Sequence, residues 1–383
     1  MCSHTECITV RRTSMGDATN HRECDVSAER AIRAIVWGIG VIGAEMVTTI
    51  LDHRDDIEII GAKVYSAAKD GVDVGELVGR TPIGIPATTD AERLLALDAD
   101  CVIYTPRNGD LDDVCRMLAA GMNVATTVFL FYPPSLPQSD RDRLSAACEQ
   151  GGSTLHASGI NPGNLSGVLP LALSGMSRTI DKVTLQERAD LTLYESTGIS
   201  FDNMAFGQPL DRITADHGGF LADMNSMFTE QVWLLADALN ARIDDVSLTI
   251  EAVPAQQDHQ IFDRVLKAGT TAGQRWNWTG LRDGEPKIEF ETLWTVGGEY
   301  PAHWPTPEHG WTLTIEGDPS MRTHFITLAS FTRPASIAEH SHAGNIATAM
   351  QVLNAVPAVC AAPPGFATAS TLPIVSSHTG FPR

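Results

Sequence analysis

Six residues, Gly38-Ile39-Gly40-Val41-Ile42-Gly43, carry the Gly-x-Gly-x-x-Gly spacing through which a backbone turn can receive a pyrophosphate. Alone, that spacing says little. Here it follows the apolar run Ala31–Trp37 and opens the apolar segment Val41–Leu51, so it sits between a strand and a helix. In that setting Gly38 makes the tight turn, Gly40 leaves room for the pyrophosphate, and Gly43 lets helix and strand pack closely. The helix N-terminus adds unpaired N–H groups and a partial positive charge. The structural alternative is a glycine-rich turn with no ligand.

The expected ligand is a nicotinamide dinucleotide, and the tip of the next strand decides which one. An NAD site places Asp or Glu there to hold both ribose hydroxyls. This chain reads Val64-Tyr65-Ser66-Ala67-Ala68-Lys69, with no carboxylate. A hydroxyl at Ser66 and an ammonium at Lys69 suit a 2′-phosphate, so NADP(H) is expected over NAD(H). For Lys69 the alternative is a solvated loop lysine. Strand-end logic adds Tyr104, Thr105, Pro106, Thr126 and Thr127 to the cofactor crevice.

Hydride chemistry also needs a group that delivers or removes a proton. Alternation along 183–190 puts Glu187 on the apolar strand face with Val183 and Leu185, where burial would raise its pKa and suit it to acid–base work. The alternative for Glu187 is a salt bridge across the sheet. His217, in Asp216-His217-Gly218-Gly219, can titrate near neutrality, or simply be a helix-entry residue. Tyr194 and Tyr104 are further donors in principle. Trp276 and Trp278 alternate along a strand and read as core or interface. No metal is expected: Cys2, His4, Cys7, His21 and Cys24 fit no standard zinc spacing, and Glu339, His340 and His342 are too small a set.

These residues need a scaffold. From Ala31 to about residue 160, strands and helices alternate. The strands are Ala31–Trp37, Ile57–Tyr65, Cys101–Tyr104, Asn123–Thr127 and Thr154–His156. The helices are Val41–Leu51, Thr89–Leu97, Leu111–Ala120 and Arg141–Gln150. That rhythm predicts a Rossmann-type, doubly wound parallel sheet. Beyond it, long strand-like runs (Lys182–Asp190, Val246–Val253, Thr271–Leu281, Lys287–Val296, Thr312–Glu316, His324–Phe331), tight turns at 282–285 and 317–320, and one helix, Phe220–Leu239, predict an α+β domain on an antiparallel sheet. The fold class is therefore α/β followed by α+β. The expected division is a disordered leader at 1–30, a dinucleotide-binding domain at 31–160, a substrate and dimerisation domain at 161–345, and a tail at 346–383. A final helix, Ile346–Val359, would pack back on the first domain.

Charge and cysteines bound the partners. A net charge of −20 repels phosphate backbones and anionic lipid, so neither nucleic acid nor membrane is an expected partner and a small-molecule substrate is. Seven cysteines at irregular spacing read as free thiols, which with a polar start lacking an apolar signal core predicts a cytoplasmic location.

The segment Gly159-Ile160-Asn161-Pro162-Gly163-Asn164, followed by Val168-Leu169-Pro170-Leu171, resembles the domain junction of the dihydrodipicolinate-reductase-like superfamily. The similarity is to the branch of 2,4-diaminopentanoate dehydrogenase and the native amine dehydrogenases, and extends to 64–76 and to the tail from Asn354 through Gly365. It implies reductive amination or amine oxidation with NAD(P)H, a homodimer, and a nicotinamide carboxamide held by Asn161 and Asn164. The chain departs from the pattern in three places. No His-His pair occurs, and Asn164 stands where a thioester-forming Cys would follow Asn-Pro-Gly. Val128-Phe129-Leu130-Phe131-Tyr132-Pro133 holds no acid where the branch carries a catalytic glutamate. The expected activity is noncovalent NAD(P)H-dependent reduction of a C=N or C=O bond in a small organic substrate. The alternative is a catalytically silent dinucleotide-binding protein that senses NADPH or pairs with a partner.

Overall fold

Short apolar runs punctuated by glycine and aspartate caps build the first half. In the computed structural model, which describes residues 30–194, 197–216, 218–298, 301–305, 308–378 and 380, they form β1 (Ile32–Trp37), α1 (Val41–His53), β2 (Ile57–Lys63), α2 (Val74–Leu77), α3 (Ala91–Leu95), β3 (Cys101–Tyr104), α4 (Leu111–Ala119), β4 (Asn123–Thr126), α5 (Gln138–Gly151) and β5 (Thr154–Ala157). Asp73, Asp90 and Asp110 cap α2, α3 and α4 by accepting first-turn N–H groups. Gly152, in the left-handed region at φ 65°, ends α5. The strands are parallel, in the order β2-β1-β3-β4-β5. Both sheet faces are covered, by α1 on one side and by α4 and α5 on the other, as buried parallel strands require.

The second half comprises α6 (Leu169–Ser174), β6 (Thr179–Asp190), α7 (Gly219–Ala238), β7 (Asp245–Pro254), β8 (His259–Ile261), β9 (Arg264–Leu266), β10 (Thr271–Arg282), β11 (Glu285–Thr295), β12 (Gly310–Asp318) and β13 (Met321–Phe325). Its large sheet runs β13-β12-β6-β11-β10-β7. The sheet is antiparallel except between β6 and β11, which pair in parallel, so the antiparallel expectation is refined to a mixed sheet. The Asp283-Gly284 turn joins β10 to β11 with both residues at positive φ, the geometry of a two-residue hairpin loop. α7 lies on the sheet, where Phe228 stacks on Trp278 with ring centroids 4.4 Å apart. Trp276 and Trp278 are fully buried, and their indole N–H groups donate to Gln274 and Asn225. They are core residues.

The chain then returns to the first sheet through α8 (Ile337–Leu353), α9 (Val356–Ala361) and β14 (Gly365–Ala367). β14 pairs in parallel with β5 and completes a six-stranded sheet. α8 starts nine residues before the expected Ile346, because Ser336 and Glu339 form a reciprocal capping box. β13 ends at Phe325, short of the expected Phe331. His217 lies outside the described residues, as do residues 1–29 with Cys2, His4, Cys7, His21 and Cys24.

Candidate active site

The glycine loop builds the floor of the site. Gly38 has φ +109°, and a Cβ there would stand 2.7 Å from the Thr105 carbonyl oxygen. At Gly43 a Cβ would lie 2.0 Å from the Gly38 carbonyl oxygen. Those two glycines are required by the protein's own packing. Gly40 differs: a Cβ there would meet nothing within 4 Å. It opens α1 without a side-chain cap, and the first turn carries no acid. An uncapped helix N-terminus facing open space is a receptor for an anion.

A crevice of about 580 Å³ spreads from this loop. Of the expected residues, Gly38, Ile39, Gly40, Val41, Ile42, Ser66, Lys69, Thr105, Thr127 and Asn161 line it. Lys69 donates to the Ile39 carbonyl at 3.0 Å, which fixes its ammonium between the tip of β2 and the glycine loop. The nearest carboxylate in sequence, Asp70, is turned onto the Thr89 N–H (2.6 Å) and hydroxyl (3.0 Å). Among the glycine-loop and strand-end residues, three do not line the crevice. Gly43 serves the helix packing just described. Tyr104 and Thr126 are fully buried, with the Tyr104 hydroxyl accepting from the Asp110 N–H and that of Thr126 from the Val128 N–H. Thr105 and Thr127, one residue further along, take those places, because successive strand residues face opposite ways. Arg107, Ile199, Asn203 and Phe220 complete the crevice and were not singled out in the sequence.

At its far end the crevice meets the Gly159–Asn164 segment. Asn161 lines it, and the Asn161 Oδ1 is buried with no hydrogen-bond donor. The Asn161 amide N–H₂ donates to Glu187 Oε2 at 2.5 Å. Asn164, expected beside it, donates instead to Gln351 on α8. Glu187 also accepts from the indole N–H groups of Trp294 and Trp311, each at 2.8 Å. All three partners are neutral donors, so the cross-sheet salt bridge is replaced by a cradle of N–H groups. Burial raises the Glu187 pKa above the ordinary glutamate range, against the pull of these donors.

Beyond Asn161 lies a second cavity of about 290 Å³, bounded by Ile160, Glu187, Asp190, Tyr194, Trp311 and the first turns of α8. Burial raises the Tyr194 phenol pKa, so it keeps its proton at neutral pH. His340 lines this cavity with a buried, unpartnered Nδ1, whereas His342 pairs with Glu45 on α1 and Glu339 caps its own helix.

One buried acid escaped the sequence reading. Glu230, in the middle of α7 and 3% exposed, accepts from the Tyr132 N–H at 2.8 Å and the Ser226 hydroxyl at 3.3 Å. Burial pushes its pKa up to about 7. It ties the loop after Thr127 to the second domain.

A glycine-loop crevice on a Rossmann sheet, closed by a second α+β domain, is the arrangement of the nicotinamide-dependent oxidoreductases, and this chain is an NAD(P)-dependent enzyme of that class. The description of the 2,4-diaminopentanoate dehydrogenase C-terminal domain matches residues 167–381, and the chain belongs to that family. It is 29% identical over 361 residues to an amine dehydrogenase of Streptomyces virginiae, covering 90% of this chain and 96% of that one. It is 21% identical over 371 residues to the 2,4-diaminopentanoate dehydrogenase of Acetoanaerobium sticklandii, covering 91% and 95%. The solved structure of an amine dehydrogenase from Mycobacterium smegmatis shares the fold, with a TM-score of 0.73 and 21% identity over 92% of this chain and 99% of that one. Among the described residues, no helix is long and apolar enough to cross a membrane.

Proposed function

We propose that the chain is an NADP(H)-preferring enzyme that reduces a C=N or C=O bond of a small organic molecule, or oxidises the corresponding amine or alcohol, by noncovalent hydride transfer. The bound dinucleotide supplies or accepts the hydride at its nicotinamide ring. The observation that carries this reading is the two-ended Asn161. Its Oδ1 lacks a donor, which a nicotinamide carboxamide provides, and its amide nitrogen is held by Glu187 in the wall of the second cavity.

The glycine loop binds the pyrophosphate, and Ser66 and Lys69 face the 2′-phosphate, with Asp70 turned away from the ribose site. Glu187 was expected as the acid–base group. We assign it instead the role of a fixed negative charge that orients Asn161, because its three partners can only donate and each favours the carboxylate. Tyr194 then gives its proton to the substrate nitrogen or oxygen as hydride reaches carbon, and solvent restores it. Asn164, in place of a thiol, leaves no covalent route at that position. The working form is a homodimer in a reducing compartment, in keeping with the exposed Phe325, Leu328, Phe331 and Ile337 beside edge strand β13 and with free Cys101, Cys115, Cys148 and Cys360.

NADPH consumption across ketones, aldehydes and ketone-plus-ammonia mixtures tests the reading, with Tyr194→Phe expected to lower kcat by about 100-fold at unchanged cofactor affinity. Tight NADPH binding with no turnover of any mixture would overturn it.

A further inference from the structure

Two thiols that the hydride reading does not use meet where the tail packs against the first sheet. Cys101 opens β3 and is fully buried, packed with Ala34, Ala125, Val352 and Val356. Cys360 stands near the end of α9, half-buried, beside the exposed Ala361. The two side chains hydrogen-bond to each other. The Cys360 Sγ also lies 4.0 Å from the Asp100 carbonyl oxygen, which accepts from the Asn123 side-chain amide at 2.8 Å. Strand and helix thus hold the sulfurs in contact, and every element of the second domain lies between them in sequence. The two sulfurs are unequal. The bond to Cys360, with burial, holds Cys101 well above the ordinary cysteine range, whereas the Cys101 S–H holds Cys360 below it. Burial raises the other described thiols, Cys115 and Cys148, the latter to about 11. Among the described cysteines Cys360 therefore carries the most thiolate at neutral pH, and it is the reachable member of the pair.

We propose that Cys101 and Cys360 are a peroxide-oxidisable dithiol whose disulfide locks the tail onto the first sheet. The Cys360 thiolate attacks one oxygen of hydrogen peroxide; the O–O bond breaks, a sulfenic acid forms and hydroxide leaves. The Cys101 thiol then attacks that sulfur. The S–S bond forms, the S–O bond breaks, and the oxygen departs as water with the Cys101 proton. Two thiols are oxidised and one peroxide is reduced. Because the whole second domain lies inside the ring so closed, the bond removes much freedom from the unfolded chain. Neither thiol lines the cofactor crevice, since Cys101 opens β3 and Thr105 follows its far end. The inference therefore stands apart from the hydride-transfer reading.

The full chain, reduced and then freed of reductant, is treated with hydrogen peroxide, and its remaining thiols are blocked with iodoacetamide before non-reducing peptide mass mapping. The expected result is a linked peptide pair joining Cys101 to Cys360, with Cys115 and Cys148 alkylated. The melting temperature of the oxidised form should rise by at least about 3 °C and return with dithiothreitol. Cys360→Ser should abolish both the link and the peroxide-dependent shift. Cys101→Ser should leave Cys360 as a sulfenic acid that dimedone traps. Peroxide that leaves Cys101 and Cys360 unlinked, joins Cys360 to any other cysteine, or carries it on to the sulfinic acid overturns the inference. So does a linked protein that melts no higher than the reduced one. If Cys101→Ser does not fold, the wild-type map and the Cys360→Ser melt decide.

Discussion

The three glycines of the loop separate under a single kind of substitution. Gly40→Ala places a methyl group where nothing lies within 4 Å, on a backbone at φ −92°, ψ −156° that alanine can adopt. Stability should hold or rise by about 0.5 kcal/mol, since alanine restricts the unfolded chain. The cofactor meets that methyl directly. Pushing the pyrophosphate off the N-terminus of α1 weakens charge-assisted hydrogen bonds worth about 1.5–3 kcal/mol, which is roughly a 10- to 100-fold loss of NADPH affinity. Gly38→Ala and Gly43→Ala behave in the opposite way. Their Cβ atoms would stand 2.7 Å and 2.0 Å from backbone oxygens of Thr105 and Gly38, and Gly38 is at positive φ besides. Overlap and strain there cost about 2–4 kcal/mol, a fall in Tm of roughly 3–5 °C for a chain of this size. Thermal melts without cofactor, paired with NADPH fluorescence titration, read both quantities. A Gly40→Ala protein that bound NADPH like wild type would refute the placement of the pyrophosphate, and one that melted several degrees lower would refute the open space.

Lys69→Ala should weaken NADPH about tenfold and leave NADH within twofold, because only the former has a 2′-phosphate to lose; equal losses in paired titrations would count against the assignment. Glu230 makes stability depend on pH. Its folded pKa of about 7 exceeds the model-compound value of 4.5, so its contribution is full below about pH 4.5 and declines as pH rises to about 7. Between pH 5 and 8 the wild type should lose about 2–3 kcal/mol relative to Glu230→Gln in urea melts, and parallel curves for the two proteins would contradict the burial argument.

What the sequence discloses here is what local chemistry decides. The bounds of β3, Cys101–Tyr104, follow from four buried apolar residues between turn signals, and α1 follows from the glycine loop that opens it. The expected final helix, Ile346–Val359, starts late because His340, His342 and Gly344 are weak helix formers, although Ser336 and Glu339 already spell its cap, and it runs through Asn354 and Ala355, where the structure divides it into α8 and α9. At the crevice, strand-end logic located the right loops and named Thr105, Pro106 and Thr127, but could not tell them from their neighbours Tyr104 and Thr126, which the fold buries. The cradle around Glu187 was illegible for a different reason. Its donors come from Asn161, Trp294 and Trp311, which are 26, 107 and 124 residues away. Glu230 carries no local signal of burial, since its partner Tyr132 lies 98 residues away.

The late return of the chain to form β14 makes the second domain an insertion between β5 and β14, two neighbouring strands of the first sheet. Among the described residues the chain crosses between the two sheets twice, through Ile160 and through Ile326 and Thr327, and both crossings border the smaller cavity. A chain cut before Gly365 would keep the whole second sheet yet leave β5 as an unpaired edge.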